Sequence, residues 1–208
     1  GAGNVTRTIS GNDGFTSRDL LDKLSEVAIQ LEIEKADIIT ISIGGNNVMP
    51  AARSSSFWSI DTNLADEGTA NFATEYTAIL DLIYSLNAKV TVISSTLYNP
   101  YNSANQPTGY SGDTQLHQTA EIYIDGIINK AIREYSHANY YVAEAHEYFL
   151  KNYGNLGKMG DVTFFYPRYN FWTWLFVRLT RDPHLNQKGQ NEMGTIHNQI
   201  INALVALK

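Results

Sequence analysis

The sequence contains no cysteine, no excess of basic residues and no long apolar run. Without cysteine, the chain cannot form a disulfide framework, a thiolate–zinc site or a cysteine nucleophile. Fifteen Lys and Arg against 21 Asp and Glu give a net charge of −6, which argues against nucleic-acid binding because phosphate affinity needs a clustered basic face. No apolar run approaches the roughly 20 residues that a membrane-spanning helix needs.

The remaining composition is that of a folded domain. Hydrophobic residues make up 43% of the chain, which is typical of a globular protein and excludes a disordered one. A chain of 208 residues can hide roughly 70–75% of its unfolded surface in one domain. No repeat, linker or low-complexity tract divides the sequence, so we expect residues 1–208 to form a single domain.

Apolar β-branched runs alternate along the chain with helical patterns. This periodicity predicts strands at 5–9, 37–43, 89–94 and 140–142, and helices at 16–31, 72–86, 115–136 and 188–207. Such alternation indicates an α/β sandwich, in which helices cover both faces of a mostly parallel sheet. The nearly continuous apolar run at 37–43 predicts a strand covered on both faces.

Two long polar connections, 50–70 and 99–113, each follow the carboxyl end of a predicted strand. Ligands of open α/β sheets bind at that edge, and long loops in compact domains often shape binding sites. We therefore expect a site at this edge.

Gly44 and Gly45 end the strand predicted at 37–43, and Asn46 follows at once. Two glycines let the backbone turn sharply, and an asparagine amide placed there could stabilise a developing oxyanion, a contribution of roughly 3–4 kcal/mol in other enzymes. The competing interpretation is a glycine-rich turn that serves only the fold.

Two further segments carry candidate chemistry. The loop 11–17 runs into a capped helix, so its backbone N–H groups could together bind an anion. The glycine spacings of the known phosphate-binding loops are absent from it. Before the last helix, Asp182 precedes His184, and Asp can fix the tautomer of an imidazole that acts as a general base. Each segment can equally be a plain loop followed by a helix start.

In their order along the chain, these motifs resemble the SGNH (GDSL-type) hydrolase superfamily, in its bacterial lipase and esterase branch, over nearly the whole sequence. The resemblance implies a flavodoxin-like, three-layer α/β/α sandwich. It implies that Gly14 donates a backbone N–H and Asn46 a side-chain N–H to an oxyanion hole. It further implies that His184 and Asp182 are the base and acid of a Ser-His-Asp triad that hydrolyses esters without a cofactor.

The sequence departs from the family pattern at three places. Asn47 stands where the family has Asp, which we expect to alter a supporting hydrogen bond while leaving Asn47 among the substrate-binding residues. Asp182 lies two residues before His184 instead of three, and Leu185 follows where the family has Pro. The family's first block, Gly-Asp-Ser, occurs nowhere in the 208 residues.

No serine of this chain replaces that block convincingly. Ser10 lies where the family's second strand feeds the oxyanion loop, and Ser17 suits a helix cap. Ser94 and Ser95 end a strand that is not catalytic in the family. Because the missing block includes a central strand, its loss would leave neighbouring strands with unpaired backbone groups. We expect a longer natural product, in which an N-terminal segment or a separate chain completes the sheet; a rearranged sheet is the alternative.

An aromatic segment, 164–176, lies just before the Asp182–His184 motif and contains Trp172 and Trp174. It either buries the last helix or forms an apolar wall for an acyl chain or sugar ring of a substrate. The other four histidines show no ligand spacing with carboxylates and are interpreted as surface or helix-face residues, so no metal site is expected: His117, His137, His146 and His197.

The motifs favour an ester hydrolase of the lipase, esterase or carbohydrate-esterase type, with a glycan, lipid or small-molecule ester as substrate. The alternative is a catalytically inactive relative that binds carbohydrate or lipid. A flavodoxin-like regulator has less support, because the acidic cluster for phosphoryl chemistry is missing. The absence of cysteine fits an exported bacterial protein, extracellular or at the cell surface.

Overall fold

The structure is a computed structural model that describes residues 6, 8, 12–53, 57, 59–104, 113–164 and 182–206. Its centre is a parallel sheet in the order β1 (Ile38–Ile41), β2 (Thr91–Ser95) and β3 (Tyr140–Ala143). Ile38 of β1 lies opposite Thr91 of β2, and Ser95 of β2 lies opposite Ala143 of β3. The predicted α/β class with a parallel sheet is confirmed.

Nine α-helices lie in the described ranges. They are α1 (Ser17–Lys23), α2 (Val27–Lys35), α3 (Gly45–Arg53), α4 (Thr62–Thr69), α5 (Phe72–Leu86), α6 (Asp113–Tyr123), α7 (Lys130–Glu134), α8 (Ala145–Phe149) and α9 (Gln187–Ala206). A π-helical segment, Ile124–Asn129, joins α6 to α7, and a second, Leu150–Gly154, follows α8. A short 3₁₀ turn, Met159–Asp161, precedes the segment that leads towards α9. Among these helices, none combines the length and apolar character that a bilayer crossing requires.

Helices cover both faces of the sheet. Successive side chains of a strand point to opposite faces. Val92 of β2 accordingly packs in a core cluster with residues of α5, whereas its neighbour Ile93 packs in a second cluster with Phe149 of α8 and Ile196 of α9. The result is the layered α/β/α arrangement that the strand–helix alternation predicts.

Among the described residues, β1 buries side chains on one face and exposes them on the other. Within the described residues it pairs with β2 alone, so one of its edges carries no partner strand there. Ile41 is buried in the cluster shared with α5, but Ile38 is 44% exposed and Thr40 is exposed. Within the described part of the chain, the prediction of a strand covered on both faces is therefore wrong for β1, because Ile38 and Thr40 stay exposed.

The helix predicted at 16–31 is divided into α1 and α2. Glu26 has an extended backbone (φ −74°, ψ 128°) between them, so the helical periodicity does not continue through this point. The reoriented α2 buries Ile33 and leaves Val27 70% and Leu31 45% exposed. The prediction of one continuous helix over 16–31 is wrong for this reason.

The predicted connection 50–70 is largely helical. It contains the end of α3 and all of α4, whose first turn is capped by the carboxylate of Asp61 accepting backbone N–H groups. α3 and α4 pack so closely that a Cβ on Gly68 would lie 1.8 Å from the carbonyl oxygen of Asn47. This contact between helices, and not a periodic local pattern, stabilises the segment, which is why the sequence pattern missed it.

The other predicted elements agree with the structure within a few residues. The helix at 72–86 is α5, the helix at 115–136 is α6 and α7 with the π-helical segment between them, and the last helix is α9. The strand predicted at 5–9 falls mostly outside the described residues.

Candidate functional site

A cavity of about 700 Å³ lies at the carboxyl end of the sheet. Its walls come from the residues that follow β1 and β2, from the loop before α1, from α3, α4 and α6, and from the loop before α9. Gly14, Asn46 and His184, three residues predicted from separate motifs, all line this one cavity. The loops that the sequence singled out therefore meet at one place.

Gly14 lies in the loop that leads into α1. Its φ of +91° belongs to the left-handed region that favours glycine. The helix that follows is capped by Thr16, whose hydroxyl and backbone N–H both hydrogen-bond with Asp19. These bonds from Thr16 hold the pKa of the Asp19 carboxyl below its ordinary value.

Ser17, predicted as a possible cap, serves a different purpose. It is fully buried, and its hydroxyl donates to the Glu75 carboxylate at 2.5 Å. Its backbone N–H donates to the side-chain oxygen of Asn47 at 3.0 Å. Ser17 thus ties the start of α1 to α5 and α3, and the cap prediction for Ser17 is wrong because the N-cap is Thr16.

Asn46 and Asn47 lie side by side at the start of α3 but have different surroundings. Asn46 lines the cavity, and its amide nitrogen donates to the carbonyl of Phe15 at 3.1 Å. An amide nitrogen carries two N–H groups, so this bond uses half of its donor capacity. Phe15 also lines the cavity, so the bond joins the α1 loop to the start of α3 at the cavity wall.

Asn47 is buried and does not reach the cavity. Its amide nitrogen donates to the Ser17 hydroxyl and to the carbonyl of Gly68, both at 2.9 Å. With the Ser17 N–H on its oxygen, the side chain joins α1, α3 and α4. The expectation of a substrate contact is not met, because every polar atom of this side chain is engaged inside the fold.

Asp182 and His184 contact one another directly. The Asp182 Oδ1 lies 2.5 Å from the Nδ1 of His184 and also accepts the backbone N–H of His184 at 2.9 Å. The spacing of two residues therefore permits an Asp–His side-chain contact. A carboxylate on Nδ1 favours the tautomer in which Nδ1 carries the proton and Nε2 is the acceptor. The His184 side chain is 70% exposed, so its ring is accessible at the cavity rim.

The loop that carries His184 is held from two sides. The hydroxyl of Tyr98 donates to the carbonyl of Pro183 at 2.5 Å, and the N–H of Phe164 donates to the carbonyl of His184 at 3.0 Å. Burial, with the nearby charge of Asp182, raises the pKa of Tyr98 above its ordinary value, so the hydroxyl keeps its proton and remains a donor. Tyr98 itself lines the cavity.

Trp172 and Trp174, predicted as an apolar wall, lie outside the described residues, as does Ser10. The described part of the chain supplies an aromatic wall from other positions. These are Phe57, Tyr98, Tyr101 and Tyr123, which follow α3, follow β2 or lie on α6. Nothing in their spacing marks them as a group, since three separate elements carry them.

A buried polar network lies around α6, on residues that do not line the cavity. His146 is 3% and His117 6% exposed, so their interpretation as surface residues is wrong, whereas both do lie on helices, α8 and α6. His146 Nε2 lies 3.0 Å from Glu121, and its Nδ1 lies 3.5 Å from Asp125. His117, Glu121 and Asp125 recur every four residues along one helical face, which is the signal that the sequence offered.

The network has the residue types of a metal site, since ligand atoms of Glu121, Asp125 and His146 all lie within 4.8 Å of one another. Its oxygens are already engaged, however. Asn99 donates to Glu121 at 2.7 Å, and Arg133 donates to Asp125 at 2.7 Å. A guanidinium beside the carboxylate already neutralises it, so the arrangement favours a hydrogen-bonded ion network.

A serine–histidine pair also lies outside the cavity. Ser95 Oγ is 2.9 Å from Nε2 of His197, whose Nδ1 is 2.9 Å from the carbonyl of Met193. The carbonyl can only accept, so Nδ1 carries a proton and Ser95 donates to Nε2. Ser95 is 1% exposed and does not line the cavity, and Ser94 accepts the Tyr76 hydroxyl in the core. Both serines serve packing between the sheet and its helices.

No family model matches this chain. A stretch of 88 residues is 31% identical to the uncharacterized protein YpmR of Bacillus subtilis (strain 168), and it covers 42% of this chain and 34% of that protein. The fold is also similar to the crystal structure of the lipase Lip_vut3 from a goat rumen metagenome, with a TM-score of 0.49 and 21% identity. That similarity covers 69% of this chain and 65% of the lipase. The chain thus matches about a third of the B. subtilis relative and under two thirds of the lipase.

Proposed function

We propose that this chain provides the acid–base pair and the oxyanion hole of a serine ester hydrolase. The observation that carries the proposal is the convergence of Gly14, Asn46 and His184 on one cavity, with the Asp182 carboxylate 2.5 Å from the Nδ1 of His184. An ester hydrolase of this type needs those groups around one reacting carbon. No cofactor takes part in the proposed reaction.

In the proposed reaction, Nε2 of His184 takes the proton of a serine hydroxyl as the serine oxygen attacks the ester carbonyl. The Asp182 carboxylate orients the ring and stabilises the imidazolium that forms. The Gly14 N–H and an N–H of Asn46 donate to the negatively charged oxygen. The imidazolium then protonates the leaving alcohol. Water, deprotonated by the same Nε2, attacks the carbonyl of the serine ester, and the imidazolium returns that proton to the serine oxygen as the acid is released.

The proposed serine lies outside these 208 residues, which contain no Gly-Asp-Ser sequence. We place it on a strand that pairs with the open edge of β1. In support, β1 has a partner on one side only within the described residues, and Ile38 and Thr40 are exposed. Ser42, Ile43 and Gly44, which follow β1, line the cavity, so a parallel strand added beside β1 would end at the same rim.

The proposal is tested by hydrolysis of p-nitrophenyl acetate by the natural protein that contains this chain and by its His184→Ala variant. Removal of a general base lowers kcat by about 10²–10⁴-fold, and we expect a loss in that range. His197→Ala serves as the matched control, because His197 bonds Ser95 outside the cavity. Equal activity of the His184→Ala variant and the unmodified protein would defeat the acid–base assignment.

A second candidate function is a catalytically inactive module that binds lipid or carbohydrate. The absence of a Gly-Asp-Ser sequence favours it. Reaction of the natural protein with a fluorophosphonate separates the two, because this reagent forms a covalent bond with an activated serine. Labelling that requires His184 supports the hydrolase, and absence of labelling with retained ligand binding supports the binding module.

A further inference from the structure

Among the described residues that line the cavity, the exposed ones differ in chemistry from the buried ones, and the others are partly buried. The exposed ones are polar or glycine: Asn12, Asp13, Gly14, Ser42, Arg53 and His184. The buried ones are apolar, aromatic or glycine, and they include Ala51, Phe57, Tyr101, Ala120 and Ile124. The cavity therefore has a polar mouth, where the proposed reacting groups lie, and an apolar interior.

The two buried tyrosines of the interior have hydroxyls that bond to other groups of the protein, which for Tyr123 include the Asp66 carboxylate. Tyr101 donates to the carbonyl of Phe57 at 3.2 Å, and Tyr123 donates to the carbonyl of Thr62 at 3.4 Å. These bonds leave the aromatic rings as the surface that an occupant meets. A sugar needs convergent polar groups around its hydroxyls, whereas an apolar chain needs ring faces and aliphatic side chains. The interior suits the apolar chain.

The volume of about 700 Å³ also argues for a chain longer than acetyl. A small acyl group at the mouth would leave the apolar interior without contacts, and walls without partner atoms lose their dispersion attraction. Each further methylene that enters such an interior strengthens binding about fourfold.

We propose that this cavity binds a medium-length, unbranched acyl chain, longer than about four carbons, with its carboxyl or ester group at the mouth and its tail between Phe57, Tyr101 and Ile124. The orientation of the chain rests on the proposed function, which places the ester carbonyl beside Gly14, Asn46 and His184. The binding itself does not require turnover. Ala120 on α6 and Met49 on α3 then set the length of chain that fits.

The test is calorimetric binding of butyrate, hexanoate, octanoate and decanoate to the natural protein that contains this chain. We expect Kd to fall about fourfold per added methylene over the first steps of the series and then to level off when the interior is full. Ala120→Phe fills the interior and should reduce the change in Kd from butyrate to decanoate to about twofold or less. Met49→Trp is the second variant, in case Ala120→Phe does not fold. Met49 is a partly exposed residue of the cavity wall, and the larger side chain should likewise reduce the change in Kd with chain length.

Ile122→Phe is the matched control, since Ile122 lies on the same helix but is 60% exposed and outside the cavity. It should keep the dependence on chain length. A Kd that does not change with chain length in the unmodified protein overturns the proposal. An unchanged length dependence in both Ala120→Phe and Met49→Trp overturns the location. Length-dependent binding without any ester hydrolysis supports this inference and removes the proposed function, so the two failures are distinguishable.

Discussion

Asn46 and Asn47 are neighbours on the first turn of α3 and carry the same side chain towards different partners. Asn46 faces the cavity and makes one hydrogen bond, to Phe15, whereas Asn47 makes three inside the fold, to Ser17 and Gly68. The pair allows the proposed catalysis and the stability of the fold to be tested separately within one turn of helix.

We expect Asn46→Ala to lower kcat of ester hydrolysis by about 10²–10³-fold, the loss typical of one oxyanion donor. Its effect on the free energy of unfolding should stay near 1 kcal/mol, since one hydrogen bond is lost. Asn47→Ala should cost about 1–3 kcal/mol of stability, because the Ser17 N–H and the Gly68 carbonyl lose their buried partner. Urea unfolding and kinetics per folded molecule measure both quantities. An Asn47→Ala variant with the larger loss of kcat would contradict this division.

The second residue-scale prediction concerns acid stability. Burial acts to raise the pKa of Glu121, but the hydrogen bond and charge of His146 and the hydrogen bond from Asn99 outweigh it and hold that pKa below its ordinary value of 4.5. The pKa of Asp125 is also lowered, since Arg133 and His146 outweigh the effect of burial. A folded-state pKa below the unfolded one means that the folded protein binds fewer protons. The stabilisation is therefore present above the unfolded pKa and is lost as pH falls through the folded pKa.

We expect Glu121→Gln to flatten the fall in unfolding free energy as pH is lowered from neutrality through 4.5. Urea unfolding at a series of pH values measures this slope. Glu134→Gln is the control, because Glu134 is 67% exposed and pairs only loosely, at 3.8 Å, with Lys130. If both variants keep the wild-type slope, the buried network does not govern acid stability.

At the scale of elements, the turn from β1 into α3 depends on one of its two glycines. Gly44 has a φ of +108°, and a Cβ there would lie 2.8 Å from Ile128 and 3.0 Å from Phe72. A Cβ on Gly45 would meet no heavy atom within 4 Å. Only Gly44 therefore combines a left-handed backbone with a tight contact.

We expect Gly44→Ala to lower the free energy of unfolding by about 1–3 kcal/mol, from backbone strain and overpacking against Ile128 and Phe72. Gly45→Ala should be neutral or slightly stabilising, because alanine favours the helix that begins there. Chemical denaturation of the two variants tests the pair. Equal losses at both positions would contradict the assignment of the turn to Gly44.

The sequence predicted the helices and strands that have a regular apolar periodicity of their own. It missed the helices that are stabilised by contacts with segments distant in sequence. α5, α9 and the strands β2 and β3 follow from apolar spacing alone. α3 and α4 did not, because Pro50 and Gly68 are poor helix residues and the contact of Gly68 with Asn47 joins positions distant in sequence.

Contacts between distant segments also limit what the sequence predicts of the site. Motifs indicated Gly14, Asn46 and His184, but the aromatic lining and the partners of His146 come from contacts between distant segments.

At the scale of the whole molecule, one edge of β1 has no partner strand among the described residues, which departs from a closed α/β sandwich. Exposed strand edges pair readily with other strands, so they favour association between copies. Ile38 is 44% exposed on this strand. In the proposed enzyme a further strand pairs with this edge of β1. Without that strand, we expect the 208-residue chain to self-associate through the same edge.

We expect the 208-residue chain to associate with rising concentration and Ile38→Lys to weaken that association about tenfold, since a lysine on an edge strand opposes pairing. Sedimentation velocity over a concentration series measures it. Ile122→Lys, at a position that is 60% exposed on α6, should leave the association unchanged. A monomer at all concentrations, or equal effects of the two lysine substitutions, would show that the chain does not associate through this edge of β1.

Tyr98 couples two parts of the molecule that are far apart in sequence. Its ring is part of the cavity wall, and its hydroxyl holds the carbonyl of Pro183, the residue next to His184. A ligand in the cavity that displaces the Tyr98 ring should therefore also displace the backbone at Pro183, and with it the imidazole of His184.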